Sequence, residues 1–69
     1  MEYLEGDEVI DIEEEKYFVS AGMVRFGGSF VRNLGEALSH ADMENTRRIK
    51  KAFPEYWDIY LKQGKEAMK

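Results

Sequence analysis

Apolar positions recur along this chain in the three- and four-residue steps of helices more than in the alternation of strands. The plainest case is Phe30, Val31, Leu34, Ala37, Leu38 and Ala41, which fall within about 60° of one line at about 100° per residue. Arg32, Glu36, Ser39 and His40 point away from it, so the pattern predicts an amphipathic helix over about 30–40. Gly35 sits inside that helix, at a cost of about 1 kcal/mol against Ala. A close helix–helix approach beside Leu34 and Leu38 would account for it.

Upstream, Asp11 reads as an N-cap and opens a helix running from Ile12 to about Phe26. Ile12, Val19, Met23 and Phe26 fall on one side of it; Tyr17, Ala21 and Val24 fall on the other. A helix apolar on two faces is sandwiched, either within the fold or between chains. The rival reading of residues 8–20 is a hairpin, because Val9-Ile10 and Tyr17-Phe18-Val19 suit strands. Its turn would be rich in Glu, with no Gly or Asn, so the helix is preferred. Gly27-Gly28 closes this element and Ser29 is expected to cap the next.

Asp42 is the expected N-cap of a third helix, about 43–52, with Ile49, Ala52 and Phe53 inward and Glu44 placed to pair with Arg48. The residue before a proline avoids the helical region, so Phe53-Pro54 ends it. Pro54 suits the first position of a fourth helix, about 54–63, which Gly64 would close. These elements predict an all-α fold, a compact bundle of three to four short helices with an acidic N-terminal segment. Residues 1–10 are expected to form an acidic, flexible segment, residues 11–64 a single helical domain, and residues 65–69 a frayed end.

Composition narrows the picture. With 69 residues, one domain is the ceiling, and no Cys is present to supply disulfides or thiolate metal sites. A chain this short buries only about 60 % of its unfolded surface, so self-association or a tight partner is the expected source of extra stability. Residues 1–16 carry eight acids and one base, a net of -7; the remainder carries six acids and nine bases, a net of +3. The acidic start suits a solubilising tail and a helix N-terminus; a nucleic-acid-mimicking arm is the sharper alternative. The opening is acidic where a secretory signal is basic, and no apolar run approaches the roughly 18 residues of a spanning helix. A soluble, cytoplasmic protein without membrane contact is expected.

Candidate chemistry is sparse. Phe53, Trp57, Tyr60 and Leu61 form a core stripe on the fourth helix, while Tyr56 and Ile59, with Tyr60 and Gln63, form a second. That apolar arc is too wide for one buried face. Aromatic residues are enriched at interface hot spots, so Tyr56, Ile59, Tyr60 and Gln63 are the expected protein-binding surface, set against ordinary core. Arg47, Arg48, Lys50 and Lys51 form the only basic run. It reads as a solvated face or, alternatively, as a nucleic-acid contact. His40, Asp42 and Glu44 are near in sequence, but capping and helix-start roles compete with metal binding. Ser39 and His40 cannot face one another on a helix, and Gly27-Gly28 lacks the rest of a phosphate loop. Glu13, Glu14 and Glu15 read as a solvated helix start. No enzyme, cofactor or metal is expected.

The stretch Gly27-Gly28-Ser29-Phe30-Val31-Arg32-Asn33-Leu34-Gly35-Glu36-Ala37-Leu38, followed by Ala41-Asp42 and Phe53-Pro54-Glu55-Tyr56-Trp57, resembles a group of short proteins encoded in bacteriophages and prophages. Their pattern combines a GGSF-type helix start, an AD-x-x-N helix start and an F-P-E-Y-W ending; Asn45 and Arg48 fall where it places them. The similarity covers about residues 22–60 and leaves the acidic segment outside. It implies a phage setting, hence a bacterial host cytosol, and specifies no activity. Phage accessory proteins of this size often bind a host protein, defence systems included. The expected function is therefore a phage-type accessory protein that binds protein, as a homo-oligomer and as an inhibitor of a host or defence protein. Two alternatives stand beside it: a nucleic-acid-binding module using residues 47–51, and a small-molecule sponge whose oligomer-interface pocket is lined by Trp57, Tyr60 and basic residues.

Overall fold

The computed structural model describes the backbone of residues 5–68 and the side chains of residues 12–68. Four helices lie within them: α1 (Glu5–Phe26), α2 (Ser29–Ser39), α3 (Met43–Ala52) and α4 (Pro54–Ala67). No strand occurs among the described residues. The fold is a small all-α bundle, and α1 is its axis, with α2 on one side and α4 on the other.

Glycines set the two close approaches. α2 runs antiparallel to α1, so that Val31 lies by Gly27, Gly35 by Met23 and Ala41 by Lys16. A Cβ on Gly35 would fall 2.6 Å from the Met23 Cβ and 3.1 Å from the Ser20 carbonyl oxygen, which explains why the middle of α2 carries no side chain there. On the opposite side α4 crosses α1 backbone to backbone. A Cβ on Gly22 would fall 2.5 Å from the Tyr60 carbonyl oxygen, and one on Gly64 would overlap the Phe18 carbonyl oxygen.

The core that results is small. Among the described residues, its buried apolar side chains are Ile12, Val19 and Met23 of α1, Val31 and Leu38 of α2, and Trp57 of α4. α3 is the lightest member and is held largely at its ends. Its N-cap is Asp42, whose carboxylate accepts the Asn45 N–H at 2.8 Å. Phe53 serves both neighbouring helices: its N–H donates to the Ile49 carbonyl and its own carbonyl accepts from the Trp57 N–H, each at 2.9 Å. Pro54 then occupies the first turn of α4, where a missing N–H costs nothing. The Lys16 ammonium donates to the Ala41 carbonyl at 2.6 Å, tying α1 to the α2–α3 corner.

Several expectations are corrected. Residues 8–20 are helical throughout, so the hairpin is excluded. Asp11 lies inside α1 and is not its N-cap, because the helix begins at Glu5. The acidic run Glu5, Asp7 and Glu8 suits a helix N-terminus, where the dipole is positive, more than a turn earlier than Asp11. Residues 5–10 thus belong to a helix, and residues 1–4 of the expected flexible segment lie outside the described residues. Gly28, not Ser29, is the N-cap of α2; it adopts extended backbone and offers no side-chain bond. Gly64 does not close α4, which continues through Ala67. No described glycine has the left-handed φ of a helix-ending glycine; Gly64 is there to let α1 in. Residues 65–67 are accordingly helical rather than frayed, and Lys69 lies outside the described residues. Phe26, Phe30, Ala37 and Ala52, expected inward, are exposed, while Thr46 of α3 is buried.

Two stability tests follow from this packing. Gly64→Ala gains about 1 kcal/mol of helix propensity, yet it drives a methyl into the Phe18 carbonyl, and overpacking of this kind costs about 1–3 kcal/mol. The expected outcome is a lower melting temperature by circular dichroism, whereas Gly28→Ala, whose Cβ meets nothing within 4 Å, changes it little. The Thr46 hydroxyl is buried without a hydrogen-bond partner. Thr46→Val should therefore raise stability by about 1 kcal/mol, read from the urea midpoint at constant slope.

Candidate interaction surface

The polar junction of the bundle is built around Glu15. At about 100° per residue, Glu15 falls about 40° from Val19, beside the buried stripe of α1 rather than on its solvent side. One carboxylate oxygen accepts the Trp57 indole N–H at 2.9 Å and the Lys50 ammonium at 3.0 Å. Lys50 also stands 5.5 Å from the centre of the Trp57 ring, a cation–π arrangement. Three helices, α1, α3 and α4, meet in this one cluster. Partial burial pushes the Glu15 carboxyl up, but the Trp57 and Lys50 hydrogen bonds, the Lys50 charge and the nearby Lys65 charge outweigh it and hold the group below its ordinary value. Glu13 and Glu14 are exposed, as expected of a solvated helix start, and Glu15 is the exception. Its angular position beside Val19 was the signal for this role.

This cluster changes the reading of the basic run. Lys50 is engaged by Glu15 and Trp57. Arg48 is engaged by Glu44 of the preceding turn at 2.9 Å, with both side chains exposed. Arg47 and Lys51 are exposed. Arg48 and Lys50 thus pair with acids of the chain itself. Asp42 and Glu44 serve as a helix cap and an ion-pair partner, and no group of three metal-binding side chains forms among the described residues. Trp57 is 1 % exposed and donates its N–H inward. Between α2 and α3 an open groove of about 490 Å³ is lined by Ala37, His40, Asn45, Ile49 and Phe53 among others.

The outer side of α4 divides into two halves. Tyr56 and Tyr60 are half-buried and belong to a continuous row of rings. Phe30 meets Phe53 edge-on at 6.1 Å, Phe53 stacks on Tyr56 at 5.9 Å, and Tyr56 meets Tyr60 edge-on at 6.3 Å. Such pairs are worth about 0.5–1.5 kcal/mol each beyond their burial, so the row is stiff. Phe30 stands at its open end, 59 % exposed. The second half holds Ile59, 47 % exposed, and Gln63, also exposed. It joins a shallow apolar depression lined by Phe26, Lys62, Gln63, Glu66 and Ala67. Tyr56, Ile59, Tyr60 and Gln63, expected together, are thus on one side of α4, in two adjoining groups. Phe26 and Phe30, counted as core by their periodicity, complete those groups. They flank the Gly27-Gly28 corner, where a chain reversal turns both rings off the buried line.

Among the described residues no helix is long and apolar enough to cross a membrane. Comparisons with protein families, with curated proteins and with solved structures each give no match to this chain.

The Glu15 cluster predicts a pH-dependent stability. A carboxyl held low in the folded state stabilises it above the unfolded value, about 4.3, and that contribution is lost as pH falls through the lower folded value. Glu15→Ala should lose about 1–2 kcal/mol at pH 7, since it strands the buried Trp57 N–H and releases Lys50. The gap to the parent chain should narrow between about pH 5 and pH 3 in thermal melts. A gap constant over that range would show that the carboxylate charge contributes nothing.

Proposed function

We propose that this chain is a non-catalytic, phage-type accessory protein that acts by binding protein, and that the outer side of α4 is its contact surface. The observation that carries the reading is the exposure of ring and aliphatic side chains along one continuous strip: Phe30, then the half-buried Tyr56, then Ile59 and Phe26. Solvent-facing apolar residues scattered singly are ordinary, whereas a contiguous strip on a rigid support is the signature of an interaction site. Support also comes from the polar junction, where Glu15 holds Lys50 and the Trp57 indole. The phage resemblance of about residues 22–60 favours a host protein, a defence component included, as the target in a bacterial cytosol.

The test is affinity capture from a bacterial host lysate, comparing the parent chain with Phe30→Glu and Tyr56→Glu. A retained host protein should be lost at least tenfold in both variants, with the helical circular dichroism unchanged. Equal retention by all three would refute the assignment of the surface. Retained host nucleic acid that disappears in Arg47→Ala/Lys51→Ala, with no protein retained, would establish the nucleic-acid reading in its place.

A further inference from the structure

We infer that α3 is a lid: it leaves the bundle and unwinds as one unit while α1, α2 and α4 stay packed, and its departure bares the side of the core on which Thr46 rests. The inference is independent of the protein-binding reading above, since it concerns a motion within the fold and not the outer side of α4.

α3 is seated by very little. Of its ten residues only Thr46 is buried. Met43 and Ile49 are half-buried against the core, and the other seven are exposed. The one buried side chain opposes its own burial, because the Thr46 hydroxyl has no hydrogen-bond partner there and regains water when α3 lifts. The Lys50–Glu15 contact clasps the helix to α1 at 3.0 Å, but the two side chains are 45 % and 30 % exposed, so water competes for both. Segments with few buried apolar contacts open at a lower free energy than the whole domain. A free helix of ten residues is marginal in water, so undocking and unwinding are one event.

The remainder holds together without α3. The buried apolar side chains of the described core lie on the other three helices, and so do the close approaches at Gly22, Gly35 and Gly64. The Lys16 bond to the Ala41 carbonyl comes before the Asp42 cap and is kept. As a helix α3 spans about 15 Å. The same residues unwound reach farther, so α2 and α4 need not shift to let it go. Opening takes Lys50 off the face of the Trp57 ring, while the indole N–H keeps its bond to Glu15, which joins α1 to α4.

Amide hydrogen exchange, followed residue by residue in the full chain, tests the inference. The N–H groups of residues 46–53, bonded within α3 from Thr46 to Phe53, should be at least about tenfold less protected than those of residues 19–23 in α1. Small additions of urea should speed the α1 group with the full slope of global unfolding. The α3 group should respond much less, because lifting α3 exposes little surface. Gly64→Ala strains a contact between α1 and α4 that the open form retains, so it should lower protection at 19–23 and leave 46–53 unchanged. The chain has no cysteine, so introduced thiols give a second readout that does not require Gly64→Ala to fold. The thiol of Thr46→Cys should react with a soluble disulfide reagent at least about tenfold faster than that of Val19→Cys, although both positions are buried. Equal protection and equal urea slopes in the two groups, loss of protection in both with Gly64→Ala, or equal thiol rates would each overturn the inference, because α3 would then leave only when the whole chain unfolds.

Discussion

Everything in this molecule depends on how closely α1 is approached from both sides. A bundle of short helices has little apolar surface to bury, and among the described residues its core holds six buried apolar side chains. Close approach compensates by bringing backbones within van der Waals contact, where many weak dispersion contacts add up. Gly35 makes this possible toward α2, and Gly22 with Gly64 toward α4. Each glycine weakens its own helix by about 1 kcal/mol relative to Ala. The packing gained across the interface has to exceed that loss, which is why these positions tolerate no side chain while the corner glycine Gly28 meets no such limit.

Polar contacts then fix what the glycines allow. The Glu15 carboxylate joins α1 to α3 through Lys50 and to α4 through Trp57, and the Lys16 ammonium joins α1 to the corner after α2. These neighbouring residues of one helix turn thus hold the other three elements in register. The same contacts draw Lys50 inward, Arg48 pairs with Glu44, and Phe26, Phe30 and Ile59 stay exposed.

Much of the fold was legible in the sequence, and the reasons are local. Asp42 with Asn45, Glu44 with Arg48, and Phe53-Pro54 act within one helix turn, so their spacing carried the information. The need for a close approach at Gly35 was legible too, because a glycine inside a strongly periodic helix weakens it unless a tightly packed neighbour offsets the loss. What the sequence concealed depends on contacts between residues far apart. Gly64 looked like a helix end because its meaning lies in Phe18, forty-six positions upstream. Glu15 looked like a solvated acid because its partners are Lys50 and Trp57. Phe26 and Phe30 followed the core periodicity, yet the Gly27-Gly28 corner between them turns both outward. That Tyr56, Ile59, Tyr60 and Gln63 share one side of α4 followed from its period; that Phe26 and Phe30 stand near them did not, since no periodicity within α4 encodes its neighbours.

The solitary indole of the chain has a practical consequence. Trp57 is almost wholly enclosed and donates its N–H to a carboxylate from α1 while a cation from α3 stands over its ring. Its ultraviolet emission comes from one location where three helices converge. A shift in colour or a change in quenching reports the seating of α3 and α4 upon α1, with no second fluorophore of its kind to blur the signal. The protein carries its own optical gauge of internal assembly, placed where docking at the outer strip would be felt through the helix that the fluorophore and the strip share.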